Sequence, residues 1–155
     1  MAPEFRVLSL DGGGLRGIFT LRLLQEIEAQ CGLPIQECFD YVVGTSTGGL
    51  IALAIFHCGM SIPECMELYR EMGGSAFQKW KLGAGRAHAF DHTKLEALLL
   101  EKFGERRMDE ARGTKVAVVS HRWDQSPNRL AIFANYDLDP SRSRFERAPL
   151  GCLVR

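Results

Sequence analysis

Two clusters in this chain combine residue types and spacings that could do chemistry. The first is Gly44-Thr45-Ser46-Thr47-Gly48. A serine with glycines two residues before and two after it is the sequence form of a nucleophile elbow. The sharp turn lifts the hydroxyl clear of the backbone, and the glycines are needed because side chains would collide there. A serine hydroxyl attacks poorly until a base takes its proton. Ser46 also opens the next helix, whose positive end favours developing negative charge. The second cluster is Asp11-Gly12-Gly13-Gly14-Leu15-Arg16-Gly17. Consecutive glycines free the backbone to turn N–H groups toward a ligand. Such donors at a helix start suit either a phosphate or an oxyanion.

Each cluster has a plainer alternative. A G-x-S-x-G pattern can arise by chance in a chain with 16 glycines, so its context must decide. The glycine loop is not a P-loop, because no Gly-Lys-Ser/Thr closes it. Its G-x-G-x-x-G spacing formally fits a dinucleotide fingerprint. That fold wants an acid at the end of its second strand, whereas Asp40 lies at the start of that strand here. The favoured reading is an oxyanion hole in the Gly12–Gly14 loop, with the N–H groups of Gly13 and Gly14 as donors. Losing one such donor typically raises a barrier by about 2.7–4 kcal/mol.

The surrounding elements must position these clusters. Residues 5–10 read as a strand running into the glycine loop. From Leu15, the residues Ile18, Leu21, Leu24 and Ile27 recur as on a core-facing helix, which Gly32 and Pro34 stop. Phe39-Asp40-Tyr41-Val42-Val43 is a second strand, and residues 49–56 read as a buried helix. Ser46 therefore sits in the strand-turn-helix context that an elbow requires. Ser61-Ile62-Pro63-Glu64 forms a capping box. It opens a helix expected to reach about Met72 and to end at Gly73-Gly74, with an irregular loop over 75–90. Asp91 or Thr93 could cap a further helix, stopped by Gly104. Strands follow at 115–120 and 130–136.

The alternation β-α-β-α-α-α-β-β implies an α/β protein with a mostly parallel central sheet. Right-handed crossovers are expected to place helices on both faces, in three layers. The first two strand tips then share one sheet edge, which brings the Gly12 loop to Ser46.

Nineteen basic residues balance nineteen acidic ones, so charge makes no case for nucleic acid. The length fits one domain or part of a larger one. Leu50 to Phe56 is too short an apolar run to span a bilayer and is followed by His57, and residues 1–6 carry no signal-peptide core. The five cysteines form no C-x-x-C pair and read as reduced thiols. The expected location is intracellular, in the cytoplasm or peripheral on membranes. No metal is expected: His88 and His92 have metal-pair spacing but straddle a helix boundary. His57 and His121 have no supporting motif and read as ordinary histidines. Trp80, Phe77 and Phe90 read as aromatics packed under a long loop.

The two clusters, in this order and spacing, closely resemble the patatin-like phospholipase family. The residues that carry the resemblance are Leu8 to Gly17 and Phe39 to Gly49. Glu67-Leu68-Tyr69-Arg70, Lys115 to Ser120 and Phe133-Ala134-Asn135-Tyr136 further resemble the calcium-independent phospholipase A2 gamma branch. The resemblance covers nearly the whole chain from Phe5. It implies a lipid acyl hydrolase with a Ser–Asp dyad, needing neither histidine nor cofactor. Ser46 matches its nucleophile, and Gly12–Gly17 its oxyanion loop. The motif glycines are Gly17, Gly44 and Gly48. Arg16 is either a contact for an anionic head group or a brace for the loop. The implied partners are an acyl lipid or phospholipid and a peripheral membrane surface.

One departure matters. The family's catalytic aspartate lies in an Asp-Gly-Gly or Asp-Gly-Ala motif well downstream of the elbow. The only Asp-Gly here is Asp11-Gly12; Asp91, Asp109, Asp124, Asp137 and Asp139 do not precede glycine. The expectation is that residues 1–155 form the N-terminal part of one patatin-like domain, incomplete at its C-terminal side. Such a chain would be poorly soluble and have little activity of its own. The alternatives are a non-catalytic remnant that binds lipid or a partner, and nucleotide binding at the Gly12 loop.

Overall fold

The computed structural model describes residues 4–75, 92–110, 113–122 and 129–136. The chain runs β1 (Val7–Leu10), α1 (Gly17–Cys31), β2 (Tyr41–Thr45), α2 (Thr47–Ile51), α3 (Ile62–Ser75), α4 (His92–Phe103), β3 (Lys115–Arg122) and β4 (Arg129–Ala134). A π-helical stretch, Ala52–His57, continues α2. The expected loop over 75–90 and the Asp91 cap lie outside the described residues, apart from Ser75 itself.

The four strands form one sheet in the order β1-β2-β3-β4. The pairs β1–β2 and β2–β3 are parallel, with Leu10 opposite Gly44 and Thr45 opposite Val119. β4 is antiparallel to β3, with Val118 opposite Phe133. The molecule is thus a mostly parallel α/β structure, and both glycine clusters emerge at the carboxyl ends of adjacent parallel strands.

The strand order also decides where the helices go. The chain steps from β1 to β2 to β3 in one direction across the sheet. Two right-handed crossovers made in the same direction fall on the same face. Leu10, Val42, Val116 and Val118 accordingly belong to one buried cluster with Leu21 and Leu24 of α1, Leu50 to Phe56, Leu68 of α3 and Leu99 of α4. A helix on the opposite face would need the progression to reverse, and none is present among the described residues.

Helix ends follow the sequence closely. Gly32 ends α1 at φ 65°, its N–H donating to Glu28 O at 3.0 Å. The Ser61 capping box forms: Ser61 N–H donates to Glu64 Oε2 at 2.7 Å, and Glu64 N–H donates to Ser61 Oγ at 3.4 Å. Gly104 closes α4 at φ 61°. The expected stop at Gly73-Gly74 does not occur, and α3 continues to Ser75. A glycine costs a helix only about 1 kcal/mol relative to alanine. Here a Cβ at Gly73 would lie 3.5 Å from Leu15, so Gly73 at least is in ordinary contact with the glycine-loop segment.

Candidate active site

Ser46 is the only non-glycine residue with positive φ among the described residues, at φ 52° and ψ −127°. Holding a serine there costs of order 1–3 kcal/mol, so its surroundings must over-determine it. They do so through glycines. A Cβ on Gly44 would run into the Gly48 carbonyl and lie 2.6 Å from Gly49 N. A Cβ on Gly48 would run into Leu10 O and lie 2.7 Å from Asp11 O. The first turn of α2 is therefore pressed against both β1 and β2. That turn is closed by Leu50 N–H donating to Ser46 O at 3.1 Å. Ser46 itself stays exposed, so its hydroxyl is open to a substrate.

The glycine loop lies against the elbow, as the shared sheet edge requires. A Cβ on Gly12 would be 2.7 Å from Ser46 Cβ and 3.4 Å from Ser46 Oγ. Two further residues fix the approach: Gly12 N–H donates to Thr45 Oγ1 at 3.2 Å, and Gly13 N–H donates to Thr47 Oγ1 at 3.1 Å. The threonines on either side of the serine thus clamp the loop. Sequence reasoning missed them. The available signal was two hydroxyls flanking Ser46 in a segment already expected to meet a glycine loop. Gly14, at φ 58°, donates to no other described residue.

Arg16 folds back on the same loop. Its backbone N–H and its Nε both donate to Gly13 O, at 3.2 and 3.3 Å. The side chain is also exposed, so part of its guanidinium remains in solvent. Gly17 lies one turn on, where a Cβ would come 2.5–2.8 Å from the Tyr69 ring.

The other polar candidates lie elsewhere. Asp40 sits at the far end of β2 from Ser46, where Arg6 N–H and Nε reach its Oδ2 at 2.7 and 3.3 Å. These bonds, the backbone one foremost, hold its carboxyl below the usual carboxylate range. It clasps β1 to β2 and is placed for no ribose. Asp109 pairs with Arg107 at 3.1 Å. His57 contacts Arg107 O through Nε2 at 2.9 Å. His121 is exposed on β3. Neither histidine bonds to Ser46. His88, Trp80, Phe77, Phe90, Asp91, Asp124, Asp137 and Asp139 lie outside the described residues, as does the side chain of His92. Among the described residues no carboxylate or imidazole hydrogen-bonds Ser46 Oγ.

A sequence model of the patatin-like phospholipase family matches residues 8–149, a span that includes both the glycine loop and the elbow. The chain belongs to the patatin-like phospholipase family. It is 35% identical over 132 residues to the 85/88 kDa calcium-independent phospholipase A2 of Rattus norvegicus, covering 84% of this chain and 15% of that protein. It is 40% identical over 143 residues to the calcium-independent phospholipase A2-gamma of Homo sapiens, covering 84% and 18%. With the cUMP-AMP-activated phospholipase of Escherichia coli it shares 36% identity over 118 residues, covering 76% and 34%. Among solved structures, the type III effector protein ExoU superposes at a TM-score of 0.51 with 14% identity, covering 98% of this chain and 38% of ExoU. That likeness speaks for the fold. This patatin-like chain thus spans between about a seventh and a third of the length of these phospholipase relatives. No helix of the described residues is long and apolar enough to cross a membrane.

Proposed function

We propose that this sequence encodes the nucleophile half of a lipid acyl hydrolase of the phospholipase A type. The observation that carries the reading is Ser46: exposed, held at φ 52°, with the Gly12 loop against its Cβ. In this reading Ser46 Oγ attacks the ester carbonyl of an acyl lipid, and its proton passes to a base. The carbonyl oxygen becomes an oxyanion facing the glycine loop. Gly14 N–H has no acceptor among the described residues and is the ready donor. Gly13 N–H, now on Thr47 Oγ1, turns toward the stronger, charged acceptor as it develops. Collapse expels the alcohol of the lyso-lipid, which takes up the proton and leaves an acyl-serine. Water then attacks the acyl-serine, giving the fatty acid and restoring Ser46.

The base is a dyad aspartate in a downstream Asp-Gly-Gly or Asp-Gly-Ala motif; in these 155 residues the sole Asp-Gly, Asp11-Gly12, belongs to the glycine loop. No histidine, metal or cofactor enters the scheme. The enzyme would work at a lipid surface from one side, in a compartment where Cys31, Cys38, Cys58 and Cys65 stay reduced. A fluorophosphonate probe should label Ser46, and Ser46→Ala should abolish labelling. Robust ester turnover by the 155-residue chain would overturn the assignment of the base. A second reading rests on the same missing motif: a non-catalytic form that binds lipid or a partner. Vesicle binding without probe labelling would favour it.

A further inference from the structure

Tyr69 lies on α3, outside both glycine clusters, yet it touches each of them. Its side chain is almost completely buried, and its hydroxyl donates to the backbone carbonyl of Thr47 at 2.7 Å. Thr47 is the residue directly after the nucleophile, and it is the one buried polar residue of the described core. Through its own hydroxyl it receives Gly13 N–H. The Tyr69 ring fills the space beside Gly17, the last residue of the glycine motif. One phenol therefore connects α3, the elbow helix and the oxyanion loop.

The chemistry suits a fixed strut. A buried O–H on a carbonyl loses its partner without replacement if either side moves, at a cost of about 1–3 kcal/mol. Burial also raises the phenol's pKa well above its usual value, so it remains a donor throughout the range in which a serine esterase works. Gly17 gains a reason beyond loop flexibility: any side chain there would push the ring away from Thr47.

We propose that Tyr69 is a positioning residue for the oxyanion loop, acting through Thr47, and that Gly17 is glycine to admit its ring. The proposal rests on the reading of Ser46 as a nucleophile, and the test separates the two. In Tyr69→Phe the ring, and with it the packing, is kept while the hydroxyl is lost. Hydrogen exchange of the Gly13 amide should speed up about 10-fold, the scale of one lost buried hydrogen bond. The maximal rate of fluorophosphonate labelling at Ser46 should fall by about the same factor, with the probe's half-saturation concentration unchanged, at a temperature well below both unfolding midpoints. Gly17→Ala, which keeps the hydroxyl but displaces it, should give the same signature. Unchanged exchange at Gly13 in Tyr69→Phe would overturn the proposal. So would faster exchange with undiminished labelling, because Tyr69 would then be packing alone. If the unmutated chain is never labelled, the nucleophile reading fails, while the Gly13 exchange result still decides whether the strut exists.

Discussion

The two faces of the sheet are built from the same kinds of residue but meet different surroundings. On one face Leu10, Val42, Val116 and Val118 are buried under α1, the α2–π segment and α3. On the other, the alternate residues of the same strands include Val7, Val43, Ala117, Val119, Leu130, Ile132 and Ala134, of which Ala117 and Ala134 are buried. There Val7 is 55% exposed, Ile132 42% and Leu130 69%. The difference follows from topology. Both crossovers move the same way across the sheet, so their described helices fall on one side. The elbow is built on the covered side: Gly48 packs on Leu10, and Gly49 comes against Val118. The open side mixes these apolar residues with exposed Ser9, Thr45, Lys115 and His121 and, among the described residues, has no helical partner. The sequence alternates little along these strands, as strands do when they are meant to be buried on both faces.

The largest effects should come where the covered face meets the elbow. A Cβ on Gly48 meets the backbone of β1, which cannot swing aside as a side chain could. Gly48→Ala should cost about 3 kcal/mol or more, the upper end for overpacking, and should abolish probe labelling. Urea unfolding followed by circular dichroism measures the first. A stability loss below about 1 kcal/mol would mean that α2 is not pressed on β1 as described.

Next in size is the core of that face. Ile51 and Leu24 are buried within it, so Ile51→Ala or Leu24→Ala should each cost about 2–5 kcal/mol. The matching truncation on the open face, Val7→Ala, should cost far less. Equal losses on the two faces would show that the open side is covered in solution.

Much of this is legible in the sequence itself. The Gly12 loop and Ser46 could be brought together from two strands and a parallel-sheet rule, because strand tips in such a sheet share an edge. Gly32, Gly104 and the Ser61–Glu64 box act as the helix punctuation their residue types announce. Less legible was what depends on contacts distant in sequence. Gly73-Gly74 reads locally as a stop, yet α3 runs through it under packing from elsewhere. Thr45, Thr47 and Tyr69 carry no motif of their own; their roles exist only once β1, α2 and α3 are side by side.

A smaller effect is expected from acid. His57 ends the π-helical stretch on the covered face, with Nε2 on Arg107 O and Nδ1 buried without a partner. Burial lowers its pKa from the usual 6.5; the Arg107 carbonyl, Glu110 and Asp109 work against that shift, and Arg106 adds to it. A lowered histidine pKa means that the unfolded chain binds the proton more readily. Its contribution is fully present above about pH 6.5 and is lost as pH falls through that value toward the folded pKa. The unfolding midpoint should therefore drop between neutral and mildly acidic pH, and His57→Gln should flatten that drop. An unchanged pH slope in His57→Gln would assign the acid sensitivity to other groups.

The smallest change in stability is expected on the open face, and it isolates what that face does. Ile132 and Leu130 both point to this side of β4, the antiparallel edge strand. Ile132→Thr keeps the β-branch and so the strand preference. With Ile132 42% exposed and only part of its side chain buried, it should alter stability by no more than about 1 kcal/mol. Its effect should instead appear as less aggregation in light scattering, since it breaks an exposed apolar patch on a strand that, among the described residues, lies at the sheet edge. A loss of about 2 kcal/mol from this substitution would contradict the exposure of Ile132 and place it in a core. Reduced aggregation at unchanged stability would mean that the apolar residues of this face are available to be covered, while the elbow on the opposite side is already held in place by Gly44, Gly48 and Tyr69.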